Sequence, residues 1–195
     1  MVPPIFKKII QILDSFPEIG PRQAWRLFFW FIKQDKKFQE KFLESFDVLI
    51  KDLNFCKECY FPTIESDLCE ICSDKRRDRS KICVVSRETD LITIENLKRY
   101  RGVYFVLGGL ILPFEDKKII EERLKKLKER LDKDKNIKEV ILALPLTKEA
   151  EPTRKELEKI LSSYNIIIKT PKRGIPTGGE IEFIDPETLK EALDL

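Results

Sequence analysis

The sequence predicts a multidomain α plus α/β protein, in which a small metal module separates an N-terminal helical region from an α/β domain with a mainly parallel sheet. Three observations predict this organisation. Apolar residues recur at helical spacing over the first 55 residues, four cysteines follow in two close pairs, and beyond residue 80 short apolar runs alternate with helical stretches. We place the domains at residues 1–54, 55–79 and 80–195.

The N-terminal region carries three helical stripes of apolar residues. The first two are separated by the segment from Phe16 to Pro21, whose two prolines and one glycine predict a tight turn. Pro21 suits the first position of the next helix, because that position needs no backbone N–H donor. The stripes are Ile5, Phe6, Ile9, Ile12 and Leu13, then Ala24, Leu27, Phe28 and Phe31, then Phe38, Phe42, Phe46, Leu49 and Leu53. We therefore expect the first 55 residues to be helical.

The metal module is predicted by the spacing of Cys56, Cys59, Cys69 and Cys72. Each pair has the form Cys-x-x-Cys, so two short turns can present four thiolates to one tetrahedral ion at about 2.3 Å. Four thiolates close the coordination shell, and one structural Zn²⁺ is the expected ion. Iron in a rubredoxin-like site is the chemical alternative. Cys83 lies within an apolar run and is interpreted as a small buried hydrophobic residue.

The C-terminal region carries four short apolar runs that predict buried parallel strands, at residues 82–85, 103–107, 140–144 and 166–168. Between the second and third runs, apolar residues from Ile119 to Leu131 recur at helical spacing in a highly charged segment, which indicates a solvated crossover helix. A second such helix is predicted from Glu149 to Ser163. Strands joined by crossover helices are typical of a parallel α/β domain.

Composition excludes several classes of protein. The net charge is only +3, with 37 basic and 34 acidic residues, so any nucleic-acid contact must come from local patches. The chain has no histidine, which excludes a nucleophile activated by imidazole and a zinc site with imidazole ligands. We find no signal-peptide pattern and no uncharged apolar stretch approaching about 18 residues, so we expect a cytoplasmic protein without a membrane segment.

The turn before Pro21 is a candidate phosphate contact. Gly20 can adopt a positive φ, and the next helix presents free backbone N–H groups to an anion. Arg22 and Arg26 lie four residues apart and therefore on one helix face, where they can neutralise phosphates without reading base sequence. The segment resembles a helix-hairpin-helix element, a non-specific DNA-binding unit, with Glu18 in place of one expected glycine. The alternative is an ordinary helical hairpin whose arginines form a solvated face.

The order of these segments resembles that of the RecR family of recombination mediators over nearly the whole chain. The α/β domain opens with Ile82-Cys83-Val84-Val85. Further stretches that carry the resemblance are Tyr104-Phe105-Val106-Leu107-Gly108-Gly109, Glu139-Val140-Ile141-Leu142-Ala143, and Arg173-Gly174-Ile175-Pro176-Thr177-Gly178-Gly179-Glu180 followed by Glu182 and Asp185. The resemblance implies a helix-hairpin-helix, a four-cysteine zinc finger and, from about residue 80, a Toprim domain.

The resemblance also bears on catalysis. Toprim domains of topoisomerases and primases hold magnesium with a glutamate after the first strand and a later Asp-x-Asp pair. Here the first position is Ser86, and the chain reads Leu144-Pro145-Leu146-Thr147 after the third strand, which favours a protein that is not an enzyme. Glu149 and Glu151 match acidic positions of the family and are interpreted as partner or structural contacts, with a solvated helix face as the alternative.

The resemblance further implies a homo-oligomer, either a dimer or a ring tetramer, that clamps single- and double-stranded DNA regardless of sequence. Its implied partners are counterparts of RecO and RecF, with which RecR helps to load RecA onto protein-coated single strands. Two other hypotheses remain open. One is a magnesium-dependent Toprim nuclease or primase, and the other is a zinc-ribbon adaptor that binds proteins but not DNA.

Overall fold

The chain divides into two compact units, residues 1–53 and residues 54–195. The structure is a computed structural model that describes residues 2–113 and 116–194. Within these described residues, no helix has both the length and the apolar character needed to cross a membrane. Each unit has buried residues of its own.

Three helices make up the first unit: α1 (Pro4–Asp14), α2 (Pro21–Ile32) and α3 (Lys36–Asp52). Asp35 caps α3, because its carboxylate accepts a 2.8 Å hydrogen bond from the Phe38 amide. The buried residues of this unit are Ile10 of α1 and Ala24 and Phe28 of α2. α3, which is described throughout its length, contributes none. The predicted helical region is confirmed.

The segment that contains the cysteine pairs has little regular structure. β1 (Leu53–Phe55) pairs with β2 (Pro62–Ile64), and α4 (Glu70–Ser73) is a single turn. The prediction of helix through residue 55 is therefore wrong for residues 53–55. The cause is a tertiary contact that helical periodicity cannot show: the chain folds back at the first cysteine pair, and residues 53–55 pair with the returning strand.

The α/β domain is built on one four-stranded parallel sheet. Its strands are β3 (Asp78–Val85), β4 (Gly102–Val106), β5 (Glu139–Ala143) and β6 (Ile167–Lys169), in the order β4-β3-β5-β6. The predicted mainly parallel sheet is confirmed. β3 begins four residues before the apolar run that predicted it, and its register against β4 shifts between Asp78 and Ile82. The polar start of β3 lacks the apolar pattern on which the prediction relied.

Helices cover the sheet. α6 (Lys118–Lys133) buries one stripe against it, and this stripe consists of Ile120, Leu124, Leu127 and Leu131. A short 3-10 turn (Lys148–Ala150) leads into α7 (Glu151–Leu161), which buries Leu157 and Leu161. α5 (Glu88–Asn96) connects β3 to β4 and buries only Leu91, which explains why periodicity did not place it. A 3-10 turn (Ile181–Phe183) and α8 (Pro186–Ala192) follow β6.

Candidate metal centre and candidate nucleic-acid interface

The two cysteine pairs lie in tight backbone turns. In the first, the Cys56 amide donates to the Phe61 carbonyl and the Tyr60 amide donates to the Cys56 carbonyl, both at 2.9 Å. Tyr60 has a positive φ of 64°, which turns the chain back immediately after Cys59. In the second, Cys69 is the N-cap residue of α4, and its sulfur accepts a 3.4 Å hydrogen bond from the Cys72 amide. Each pair thus presents both of its thiols from one turn.

The four cysteine sulfurs converge on one point. Their Sγ atoms all lie within 4.8 Å of one another, and those of Cys59 and Cys69 are 3.5 Å apart. Sulfurs held tetrahedrally at about 2.3 Å from an ion lie about 3.8 Å from each other, so the cluster has the dimensions of a metal site. Hydrogen bonds among the four thiols lower the pKa of Cys56 and raise the pKa values of Cys59 and Cys72, because a thiolate at one position accepts from the neighbouring thiols. The arrangement can hold a metal ion that prefers sulfur ligands.

Cys83 takes no part in this cluster. It lies within β3 and is 2% exposed. Burial raises the pKa of its thiol to about 12, so this side chain stays neutral at physiological pH. Cys83 therefore behaves as a small apolar residue of the sheet.

The metal module is fastened to the α/β domain through its backbone carbonyls. The Val106 amide, at the end of β4, donates a 2.8 Å hydrogen bond to the Cys59 carbonyl. Arg130 of α6 donates at 2.8 Å to the carbonyl of Glu58, and Arg79 of β3 donates to the carbonyl of Cys72. The role of these two arginines was not predicted, because the spacing of charged residues does not distinguish an anchoring arginine from a solvated one. These bonds tie the cysteine loops to three elements of the domain.

The turn between α1 and α2 differs from the prediction in one respect. Gly20 has an extended backbone, with φ −90° and ψ 175°, and its carbonyl accepts a 3.0 Å hydrogen bond from the Ala24 amide. The positive φ expected at Gly20 is instead found at Glu18, where φ is 64°. The expectation for Gly20 is therefore wrong, because the chain reverses two residues earlier and Gly20 already occupies the N-cap position of α2.

Arg22 and Arg26 lie on the first two turns of α2, and both are exposed. Intrahelical hydrogen bonding begins with the Ala24 amide, so the amides of Arg22 and Gln23 belong to the unpaired set at the helix N-terminus. The partial positive charge of the helix dipole adds to that of the two guanidinium groups. This end of α2 can attract an anion.

The carboxyl-terminal ends of β3 and β5, where the resemblance places the magnesium-binding acids of Toprim domains, carry Ser86 and Leu144 instead. Val85 pairs with Ala143, so Ser86 and Leu144 leave the sheet beside each other. Ser86 is 2% exposed and its hydroxyl donates a 2.6 Å hydrogen bond to Asp90, whose carboxylate also accepts from the Arg87 amide at 2.9 Å. The Asp90 carboxylate is thus engaged in capping α5.

The two acidic residues of the predicted partner contact have different surroundings: Glu149 lies in the 3-10 turn before α7, and Glu151 is the first residue of α7. Glu149 is exposed, whereas Glu151 is partly buried and ion-paired with Arg154. Thr153, in the first turn of α7, was not predicted. It is fully buried, and its hydroxyl accepts a 2.7 Å hydrogen bond from the Ile111 amide. It joins α7 to the loop that follows the two glycines Gly108 and Gly109.

Comparison with known proteins identifies relatives over almost the whole chain. Residues 80–169 match the family model of the Toprim domain, and residues 174–194 match that of the RecR C-terminal region. The chain is 36% identical over 187 residues to the recombination protein RecR of Bifidobacterium adolescentis, covering 96% of this chain and 92% of the relative. It is 36% identical over 181 residues to that of Cytophaga hutchinsonii, covering 93% and 88%, and 32% identical over 191 residues to that of Chromobacterium violaceum, covering 98% and 96%. From the helical unit, the cysteine cluster, the parallel sheet and these relatives together, we conclude that the chain belongs to the RecR family of recombination proteins.

Proposed function

We propose that this protein is a non-enzymatic recombination mediator that binds DNA without sequence preference. Its relatives are named recombination proteins, and we extend that role to this chain. The observation that carries the DNA-binding part is the position of Arg22 and Arg26, both exposed at the positive end of α2. Contacts from guanidinium groups and backbone amides to phosphates give affinity without base recognition. Gly20 lets a phosphate approach the amides, because it has no side chain there.

The metal we propose for the cysteine cluster is one structural Zn²⁺, held by Cys56, Cys59, Cys69 and Cys72. Four buried sulfurs leave no position for water or substrate, so the ion stabilises the loops and does not act as a Lewis acid. Iron would bind the same donors, and the two are told apart by elemental analysis and by visible absorption, since Zn²⁺ has a filled d shell and is colourless.

The Toprim-like domain, in this proposal, binds partner proteins and carries out no chemistry. Ser86 and Leu144 occupy the sheet edge where magnesium-binding carboxylates would be needed, and Asp90 is engaged by Ser86 and by the Arg87 amide. Glu149, which follows β5 in the chain, is exposed, and we assign it to contact with counterparts of RecO or RecF. We assign Glu151 a supporting role, because Arg154 already neutralises it.

A second copy of the chain is proposed to cover the apolar face of α3. Phe38, Phe42, Phe46 and Leu49 recur at helical spacing, and each is between 39% and 46% exposed. Such a face on a single chain is typical of a protein–protein contact. The family resemblance implies a homo-oligomer, and association through α3 would remove these side chains from water. Sedimentation of wild type and of Phe42→Glu tests this, because the variant should associate less than wild type.

The mediator role is tested by reconstitution. A RecA-type recombinase is added to single-stranded DNA coated with single-strand-binding protein, and filament assembly is followed with and without this protein and counterparts of RecO and RecF. The proposal predicts faster assembly when all components are present, and slower assembly with an Arg22→Ala/Arg26→Ala variant. Magnesium-dependent cleavage of DNA or synthesis of a primer by the purified protein would contradict it.

A further inference from the structure

We propose that the cleft between the first cysteine loop and α6 is a second DNA site, which binds the phosphates of a single strand through lysines and one base on Phe55. This inference rests on the proposed DNA-binding function, but it concerns a surface of the second unit that is separate from Arg22 and Arg26. The cleft has a volume of about 410 Å³. One wall is the loop from Phe55 to Tyr60, and the other is the face of α6 that carries Lys126, Arg130 and Lys133.

The charge of the cleft favours an anion. Four basic residues line it, namely Lys57, Lys126, Arg130 and Lys133, against two acidic ones, Glu58 and Glu129. Two residues outside the lining form ion pairs with it: Arg79 with Glu58 at 2.9 Å and Asp67 with Lys57 at 2.6 Å. Lys126, Arg130 and Lys133 then face only Glu129, so the basic residues remain in excess. The Lys126 side chain remains 45% exposed although it pairs with Glu129 at 3.0 Å, so a phosphate can replace that carboxylate.

The spacing of the lysines suits a polynucleotide better than a single small anion. Lys126 and Lys133 are two helical turns apart, about 10.5 Å along the axis of α6. A nucleic-acid strand advances about 3.4 Å per nucleotide in a duplex, so this distance spans about three phosphates. Arg130 lies between them, but its guanidinium is committed to the carbonyls of Glu58 and Tyr104 at 2.8 and 3.3 Å. Arg130 therefore shapes the cleft, and the lysines supply its mobile charge.

An exposed aromatic ring at the cleft points to a base. Phe55 is 43% exposed, although the guanidinium of Arg123 lies 5.8 Å from the centre of its ring and holds it in place. Arg123 itself lies 5.1 Å from the ring of Tyr60 and donates a 3.2 Å hydrogen bond to the Val106 carbonyl. A fixed and solvent-facing ring beside lysines is the combination that binds single strands by stacking and phosphate contact. An acidic peptide would pair with the lysines but has no base to stack on the Phe55 ring.

The test compares two matched double variants of α6 in binding to a labelled oligothymidine across a salt series. Lys126→Gln/Lys133→Gln removes two charges from the cleft, whereas Lys125→Gln/Lys128→Gln removes two exposed charges of the same helix that do not line it. We expect the first pair to weaken binding and to make the salt slope shallower by about 1.4, which is two single-strand phosphate contacts. We expect the second pair to leave the slope unchanged. Phe55→Leu should weaken oligothymidine binding by roughly five- to a hundredfold and leave duplex binding unchanged.

Two outcomes would show that the cleft does not bind DNA without contradicting the proposed function. One is equal loss of affinity by the two lysine pairs while Arg22→Ala/Arg26→Ala still weakens binding. The other is that Lys126 and Lys133 matter for binding of an oligoglutamate but not of oligothymidine, which assigns the cleft to an acidic protein segment. If the wild-type protein binds neither single-stranded nor duplex DNA, both the cleft and the proposed function fail. Unchanged zinc content and thermal midpoint show that each variant is folded.

Discussion

The Val106 amide donates a 2.8 Å hydrogen bond to the carbonyl of Cys59, so a metal-binding loop is joined directly to the last residue of β4, an edge strand of the parallel sheet. Gly108 and Gly109 follow that strand, both with positive φ. Gly108 has φ +79°, which other residues rarely adopt, and an added Cβ would lie 2.6 Å from the guanidinium of Arg123 and displace it. The end of β4 thus contacts both the metal module and the glycine turn, so loss of the metal should loosen this end of the strand.

Cys59→Ser should abolish metal binding and loosen the end of β4. Metal binding contributes on the order of 10 kcal/mol in zinc peptides that supply a full set of ligands. Because the variant lacks one of the four thiolates, its metal content should fall from about one equivalent to near none. Hydrogen exchange of the Val106 amide should then become faster, because its acceptor lies in the unfolded loop. Cys83→Ala is the control, since it removes a buried thiol outside the cluster and should keep the metal. Full metal content in Cys59→Ser would contradict the assignment of ligands.

Thr153→Val should destabilise the protein, although it preserves the shape of the side chain. The substitution leaves the Ile111 amide without its acceptor in a partly buried site, which costs about 1–3 kcal/mol of the free energy of unfolding. Thr153→Ser keeps the hydroxyl and serves as the matched control. Urea denaturation of the three proteins measures the difference, and a valine variant at least as stable as the serine variant would show that this hydrogen bond does not stabilise the fold.

The ion pair between Arg77 and Glu95 should make stability depend on acid pH. Hydrogen bonds from Arg77 and Tyr104 lower the pKa of Glu95 below its ordinary value of 4.5, against the opposing effect of burial. A group with a lowered pKa stabilises the fold above the unfolded-state pKa, and this stabilisation is lost as pH falls towards the folded-state value. Glu95→Gln should therefore be less stable than wild type at neutral pH, and the gap should narrow below about pH 4.5. Urea midpoints of wild type and Glu95→Gln at several pH values measure this difference in stability. A difference that does not change with pH would show that ionisation of the Glu95 carboxylate does not stabilise the fold.

Glu18→Gly should strengthen DNA binding. The carboxylate lies in the turn that precedes the end of α2 proposed to bind phosphate, where its negative charge would repel the DNA backbone. Glycine also tolerates the positive φ found at this position, so the fold should lose little stability. Glu18→Gln separates the two effects, because it removes the charge and retains the side chain. Affinity should rise for both variants, and an unchanged affinity would indicate that DNA does not approach this turn.

Much of the architecture is predictable because it depends on local patterns. The stripe from Ile119 to Leu131 gives α6, the apolar runs give the strands, and two Cys-x-x-Cys pairs give the sulfur cluster. The remainder depends on contacts between distant residues. Pairing with β2 fixes the strand at residues 53–55, chain reversal fixes the positive φ of Glu18, and a carbonyl 72 residues away fixes the anchoring role of Arg130. Composition and spacing contain no signal for any of the three.

We propose that Arg22 and Arg26 bind DNA phosphates, and the salt dependence of duplex binding measures this contact. Three zinc-loaded proteins are compared: wild type, Arg22→Ala/Arg26→Ala, and Arg22→Lys/Arg26→Lys, which keeps both charges. We predict that binding weakens with salt, that the alanine variant binds less tightly with a slope shallower by about 1.8, and that the lysine variant keeps most of the wild-type slope. Equal affinity and equal slope for wild type and the alanine variant would show that α2 does not contact DNA.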